Sequence, residues 1–229
     1  MSARGFTVAL IGCDGAGKTT VAREIEERRR LPVRYLYMGV SPDSSNHQLP
    51  TTRLAHALKR ARGAPPDTAG PRPPAPPAPK GGRVRRARRA ARSTLRLVNR
   101  VAEEWYRQLL AQRHLRRGRI VLFDRHFTAD YHAADVAAER RTLSRRLHGF
   151  LLTRAYPQPA LVILLDAPAE VLFGRKGEGT LASLTRRRAD YLQLGATLEH
   201  FAVVDATEPL ESVVAQVEAQ IADHHEARR

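Results

Sequence analysis

Residues 10–20 read Leu10-Ile11-Gly12-Cys13-Asp14-Gly15-Ala16-Gly17-Lys18-Thr19-Thr20. An apolar run enters this stretch and a helical pattern leaves it. Between them Gly12 to Thr19 satisfies the spacing G-x-x-x-x-G-K-[ST]. Glycines let successive backbone N–H groups converge on one anion, and the start of the following helix adds positive dipole. Lys18 supplies a point charge, and the Thr19 hydroxyl is a ligand for Mg²⁺. The loop therefore points to a bound nucleoside triphosphate, ATP, with Mg²⁺. One residue is out of keeping, because Asp14 puts a carboxylate into an anion site.

Outward from the loop, apolar runs alternate with helical patterns. Phe6–Ile11 reads as a buried strand, then 20–30 as a helix broken at Leu31-Pro32. Further strands are expected at 33–38, 119–123, 161–165 and 201–204. Helices are expected at 52–62, 129–154, from about 168, up to about 200, and over 210–224. The strands are continuous apolar runs rather than alternating ones. That pattern predicts a five-stranded parallel sheet covered on both faces, a three-layer α/β/α fold. The whole of 1–229 reads as one domain.

The region between the second and third strands departs from this rhythm. Residues 64–82 hold 8 of the 15 prolines and are expected to be a disordered insertion. The arginine-rich run "RVRRARRAAR" follows, so the Pro/Arg-rich insertion spans 64–92. One long helix is expected to run from that arginine run to Gly118. Along it Leu95, Val98, Ala102, Trp105, Leu109 and Gln112 recur at helical spacing, and Trp105 and Tyr106 are expected in the core.

The net charge of +16 is unevenly placed. Residues 53–96 carry 13 Lys/Arg against the single acid Asp67, or +12, which leaves +4 elsewhere. That remainder suits an enzyme of anionic phosphates better than a nucleic-acid binder. Cys13 is the sole cysteine, so no disulfide framework forms within the chain, and a reducing, cytoplasmic compartment is expected. No apolar run has the length of a membrane span.

Two predicted strands end in an acid able to serve Mg²⁺: "IVLFD" at Asp124 and "VILLD" at Asp166. Asp124 is preferred because Arg125 follows it, and an arginine there can clamp a transferring phosphoryl bidentately. Asp166 can instead cap the helix that begins near Pro168. The sequence leaves the choice between them open. A glycine-bearing cationic stretch, "GRKGEGTLASLTRRR", follows. Arg175 and Lys176 are its foremost candidates, with Arg186, Arg187 and Arg188 read mainly as a solvated helix face.

Together "LIGCDGAGKTT", "IVLFDRHF" and "LVILLDAPAEVLFGRKGE" resemble the thymidylate kinase family of P-loop nucleotide kinases. The resemblance runs from Phe6 to Asp205 and is interrupted by residues 40–95. It implies ATP-dependent phosphoryl transfer to a small phosphate acceptor, a nucleoside monophosphate such as dTMP. It implies Lys18, Asp124, Arg125 and Arg175 as catalytic residues and Thr19 and Asp124 at Mg²⁺. The nucleotide would lie against Gly12, Asp14, Gly15, Ala16, Gly17, Lys18, Thr19, Thr20 and Lys176. Asp14 would face the acceptor side, and a homodimer is plausible by the same resemblance.

The resemblance fails where the base should be read. The family's arginine-containing segment after strand two is replaced by "MGVSPDSS". After strand three the chain reads "HFTADYHAAD", without the expected glutamine. Asp130, Tyr131 and His132 are alternative acceptor-pocket residues, and His126, His132 and Asp135 form only a weak metal pattern. Two other readings stay open. One is a kinase of a hydroxyl acceptor with Asp124 as general base. The other is a non-catalytic nucleotide- or nucleic-acid-binding protein using the basic 83–92 run.

Overall fold

A computed structural model describes residues 5–38, 61, 83–124 and 157–228 of the chain. Five strands form one sheet: β1 (Thr7–Ile11), β2 (Val33–Tyr37), β3 (Ile120–Asp124), β4 (Leu161–Asp166) and β5 (Phe201–Asp205). Their order is β2-β3-β1-β4-β5, and every pairing is parallel. The helices among the described residues are α1 (Lys18–Arg28), α2 (Arg83–Leu115), α3 (Ala169–Lys176), α4 (Leu181–Gly195) and α5 (Leu210–Ala227). The expected helix at 129–154, the proline-rich segment and most of 52–62 lie outside the described residues.

The inner strands β3, β1 and β4 are short and apolar because both their faces are covered, whereas the edge strand β5 leaves Val203 half exposed. On β3 the alternation is visible. Ile120 and Leu122 join the core that holds Ile25 of α1 and Val214 of α5. Val121 and Phe123 instead meet Leu36, Met38 and Ala111 of α2 on the other face. Phe123, Leu122 and Ile163 are at most 1% exposed. Each such side chain contributes about 1.5–3 kcal/mol relative to exposure. This is the three-layer α/β/α fold that the strand pattern predicts.

The parallel register brings the carboxyl ends of the strands to one edge. Leu10 pairs with Asp124, Ile11 with Leu164, and Asp166 with Asp205. Ligands of open parallel sheets bind outside this edge.

The long helix differs from expectation in how it faces. Leu95, Val98 and Leu109 are 68%, 56% and 65% exposed, and Trp105 is 43% exposed. Tyr106 is half-buried. The inward face instead carries Glu103, Glu104, Arg107, Gln108 and Ala111, all buried. The charges there are paired, as burial demands. Arg107 Nη1 donates to the Met38 carbonyl at 3.0 Å, and Arg107 Nη2 lies 3.8 Å from Glu103. Trp105 is therefore not a core residue.

Two helix ends also differ. The expected cap by Asp166 does not form: Pro168 holds the N-cap of α3, with no side-chain cap bond. Asp166 is taken by an arginine, described below. The helix expected to reach residue 200 stops at Gly195, where a Cβ would meet the Phe201 ring at 2.3 Å. α4 begins with a capping box, in which Thr180 and Ser183 each bond the other's backbone N–H.

Candidate active site

The loop after β1 turns tightly. Gly12 has φ +143°, and a Cβ there would lie 2.5 Å from the Leu165 carbonyl oxygen. Gly15 has φ +92°, and its Cβ would lie 2.8 Å from the Leu172 carbonyl oxygen. Side chains at these positions would push the loop off β4 and α3. Gly17, with φ 82°, caps α1 without a side-chain bond, so the first N–H groups of the helix face the loop.

Lys18 is buried beneath this loop. Its Nζ donates to the carbonyls of Gly12 and Cys13, each at 2.8 Å. The Thr19 Oγ1 donates to Asp124 Oδ2 at 2.5 Å. Tyr35, from mid-β2, donates its hydroxyl to the same oxygen at 3.2 Å. Burial and the neighbouring Asp124 carboxylate push the Tyr35 hydroxyl well above its ordinary pKa, so it stays a proton donor. Met38 N–H donates to the Asp124 carbonyl at 2.9 Å and anchors the strand end.

Asp124 is wholly buried, and its Oδ1 has no hydrogen-bond partner among the described residues. A buried carboxylate oxygen without a donor is costly unless a cation or ligand completes it. Thr19 and Asp124 thus supply the two oxygen donors, side by side at the head of the phosphate loop, that a hard cation needs. Among the described residues no group of three His, Cys, Asp or Glu side chains could by itself hold a metal ion. The donor set therefore suits Mg²⁺ that arrives with phosphates and keeps water.

The two acids of the sequence pattern have separate surroundings. Asp166 receives a bidentate pair from Arg188, Nε to Oδ1 at 2.7 Å and Nη2 to Oδ2 at 2.8 Å. Asp14 Oδ2 lies 3.4 Å from Arg187 Nη1. So Arg187 and Arg188 of α4, read from sequence as mainly solvated, lie against carboxylates of the loop and of β4. A signal was present in the sequence. Arg188 shares a helical stripe with Leu184 and Tyr191, which are both buried. Tyr35 had no comparable signal, since it reads as an ordinary strand residue.

Arg175 lies elsewhere, donating to the Ala206 carbonyl after β5 at 2.8 Å. Lys176 pairs with Glu178 at 3.1 Å on the surface. In the same region Asp205 Oδ1 accepts from the N–H and hydroxyl of Thr207, at 2.8 and 2.6 Å, which lowers its pKa. Ala16 is buried in the loop and Thr20 is exposed on α1. Cys13 is buried with Sγ 3.8 Å from the Leu184 carbonyl, and burial raises its thiol pKa despite nearby Lys18 and Arg187. Arg125, His126, Asp130, Tyr131, His132 and Asp135 lie outside the described residues.

Sheet order and loop define a three-layer α/β/α P-loop fold. Among solved structures, the chain is similar to a thymidylate kinase from Candida albicans. The TM-score is 0.61 at 17% identity, covering 98% of this chain and 95% of that one. That enzyme is described as having broad substrate specificity and a novel structural element. No protein-family model matches the chain, and no curated protein matches its sequence. Among the described residues no helix is long and apolar enough to cross a membrane.

Proposed function

We propose that this chain is a small-molecule kinase. It transfers the γ-phosphoryl of ATP to a small phosphate acceptor, of which a nucleoside monophosphate of the dTMP kind is the leading class. The observation that carries this reading is the Thr19–Asp124 pair, with an Asp124 Oδ1 that has no partner among the described residues, beside a loop that fits only backbone at Gly12.

In this reading the backbone N–H groups of residues 15–19 and Lys18 hold the β- and γ-phosphates. Thr19 and Asp124 would hold Mg²⁺, which would supply charge neutralisation to the phosphates. Asp14 faces the acceptor side of the loop. Arg187 and Arg188 stand on α4 close to the loop, where α4 with the preceding 174–180 stretch acts as a lid. Arg175 is tied to the segment after β5, its guanidinium donating to the Ala206 carbonyl. Arg125, next to Asp124 in sequence, steadies the transferred group. Phosphoryl transfer needs positioning and charge more than covalent chemistry, so these parts suffice.

A phosphate acceptor is preferred over a hydroxyl acceptor for one reason. Both donors to Asp124, from Thr19 and Tyr35, converge on Oδ2. An already ionised phosphate, unlike a hydroxyl, asks no general base of the remaining Oδ1, which can then serve a cation.

The test is an ATP-consumption screen across deoxynucleoside monophosphates, nucleosides and sugar phosphates, with Lys18→Ala as control. Turnover with a monophosphate, lost in Lys18→Ala, is the expected result. Turnover with nucleosides or sugars alone would select the hydroxyl-acceptor reading. No acceptor-dependent turnover, together with unchanged ATP affinity in Lys18→Ala, would remove the kinase reading.

A further inference from the structure

The edge of the sheet away from the phosphate loop carries a second basic cleft. It is a cavity of about 500 Å³ lined by Glu26, Arg29, Arg30, Leu31, Pro32, Val33, Arg34 and Arg119. Four guanidiniums face one carboxylate. The cleft sits where β2 and β3 begin, because Val33 pairs with Ile120 there. Asp124 pairs with Tyr37, four residues further along β2. At about 3.3 Å per residue the two regions are roughly 13 Å apart along the strands.

The local chain path makes the cleft. α1 ends at Arg28, and Arg29 follows in the left-handed region with φ 52°. It is the one non-glycine residue with positive φ among the described residues. The reversal sends Arg30, Leu31 and Pro32 back over the sheet edge, so that consecutive arginines line the same hollow.

The guanidiniums are incompletely used. Arg29 has no ion pair or side-chain hydrogen bond among the described residues. Arg34 Nη1 reaches Glu26 only at 3.5 Å, and Arg30 Nη1 reaches Glu218 at the same distance. Arg119 Nη1 meets His114 Nδ1 at 3.3 Å. Glu26 is also engaged by the Tyr35 N–H at 3.2 Å. Each guanidinium has five N–H donors in a planar fork, so most of these donors remain available. Forked donors from several arginines match phosphate oxygens bidentately. The volume falls in the range of small-ligand sites.

We propose that this cleft is a second anion site, which binds a compact oligophosphate through Arg29, Arg30, Arg34 and Arg119. The ligand is either free inorganic oligophosphate or the polyphosphate tail of a nucleotide. Nucleic acid fits less well, since a cleft of this volume ends within one small ligand's length.

The test is calorimetry on the full chain with inorganic tripolyphosphate, without turnover. A saturable event should persist in Lys18→Ala. It should weaken at least tenfold when Arg29→Ser and Arg119→Ser are combined. It should stay within twofold in the control pair Arg113→Ser and Arg116→Ser, both exposed, in and just past the last turn of α2. Competition with ATP tells the two sources apart: tighter displacement by ATP than by tripolyphosphate marks a nucleotide, and equal displacement marks the free anion. The proposal fails if no saturable event survives Lys18→Ala, or if the control pair weakens binding as much as the cleft pair. It also fails if a single-stranded oligonucleotide displaces tripolyphosphate at lower phosphate concentration than ATP does. Circular dichroism of each variant guards against a folding defect, and Arg29→Lys with Arg119→Lys should recover part of the affinity.

Discussion

The Thr19 hydroxyl donates to Asp124 Oδ2 at 2.5 Å, joining two residues 105 positions apart in the chain. The bond forms because β1 and β3 are adjacent and in register, with Leu10 opposite Asp124. It leaves Asp124 Oδ1 buried and without a partner among the described residues. Asp124→Asn is therefore expected to separate stability from function. Removing a buried, half-satisfied charge should leave the melting temperature of the Mg²⁺-free protein unchanged or raised. Turnover should fall by about 100-fold or more, as when a group stabilising transition-state charge is lost. Thr19→Ala should lose turnover as well. Thermal unfolding with and without Mg²⁺–ATP, beside steady-state kinetics, checks both; a destabilised Asp124→Asn with normal turnover would contradict the assignment.

Arg188 and Asp166 are held by two bonds, but the pair is partly in water, with side-chain exposures of 39% and 15%. Arg188→Ala is expected to cost only about 1 kcal/mol after solvent screening. For a domain of this size that is a melting shift of about 2–4 °C. Arg186→Ala, on the exposed side of α4, should shift it by less than 1 °C, about the noise expected of a neutral surface change. Differential scanning calorimetry of both variants distinguishes a structural clamp from a plain surface arginine.

His224 packs against Phe6 and His200, with ring centroids 5.1 and 4.8 Å apart. Burial, with help from His200 and Arg228, lowers its pKa from the ordinary 6.5. Below pH 6.5 the unfolded chain takes up a proton that the folded chain resists. Stability contributed by this site is thus full above that pH and is lost as pH falls through the window beneath it. His224→Gln should flatten the decline in melting temperature between pH 7.5 and 5. A parallel decline in wild type and variant would show that His224 is not the group responsible.

Trp105 is the single tryptophan and lies on the exposed stripe of α2. Its fluorescence should be red-shifted and readily quenched by acrylamide at low micromolar protein. Leu109→Lys, one turn along the same stripe, should change stability by less than about 0.5 kcal/mol. A blue-shifted, poorly quenched tryptophan that turns red in Leu109→Lys would mean that another surface covers the stripe.

Local order was written plainly in the sequence. The strands are apolar because a parallel sheet is covered on both faces. The loop is glycine-rich because Gly12 and Gly15 approach the backbone of β4 and α3. Both properties belong to short windows of chain, so Gly12 to Thr19, the five strands and the α/β/α layering could be read without coordinates. The seam of α2 was legible as a periodicity, yet its direction was not. Period reports which residues share a face, while the partner decides whether that face turns in. Here the inward places go to Glu103, Glu104, Arg107 and Gln108, and the Arg107 guanidinium reaches the Met38 carbonyl only after folding.

The choice between two strand-end acids was beyond the sequence for the same reason. Asp124 and Asp166 end equivalent apolar strands on either side of β1, and the Arg125 that follows Asp124 favours it without deciding between them. Tertiary structure distinguishes them by what it brings near: Thr19 and Tyr35 to Asp124, and the Arg188 fork to Asp166. The sequence by itself determined that a phosphate loop exists and on what fold. Only the packing of distant segments decided which carboxylate stands beside it, because a carboxylate's chemistry is set by its neighbours in space.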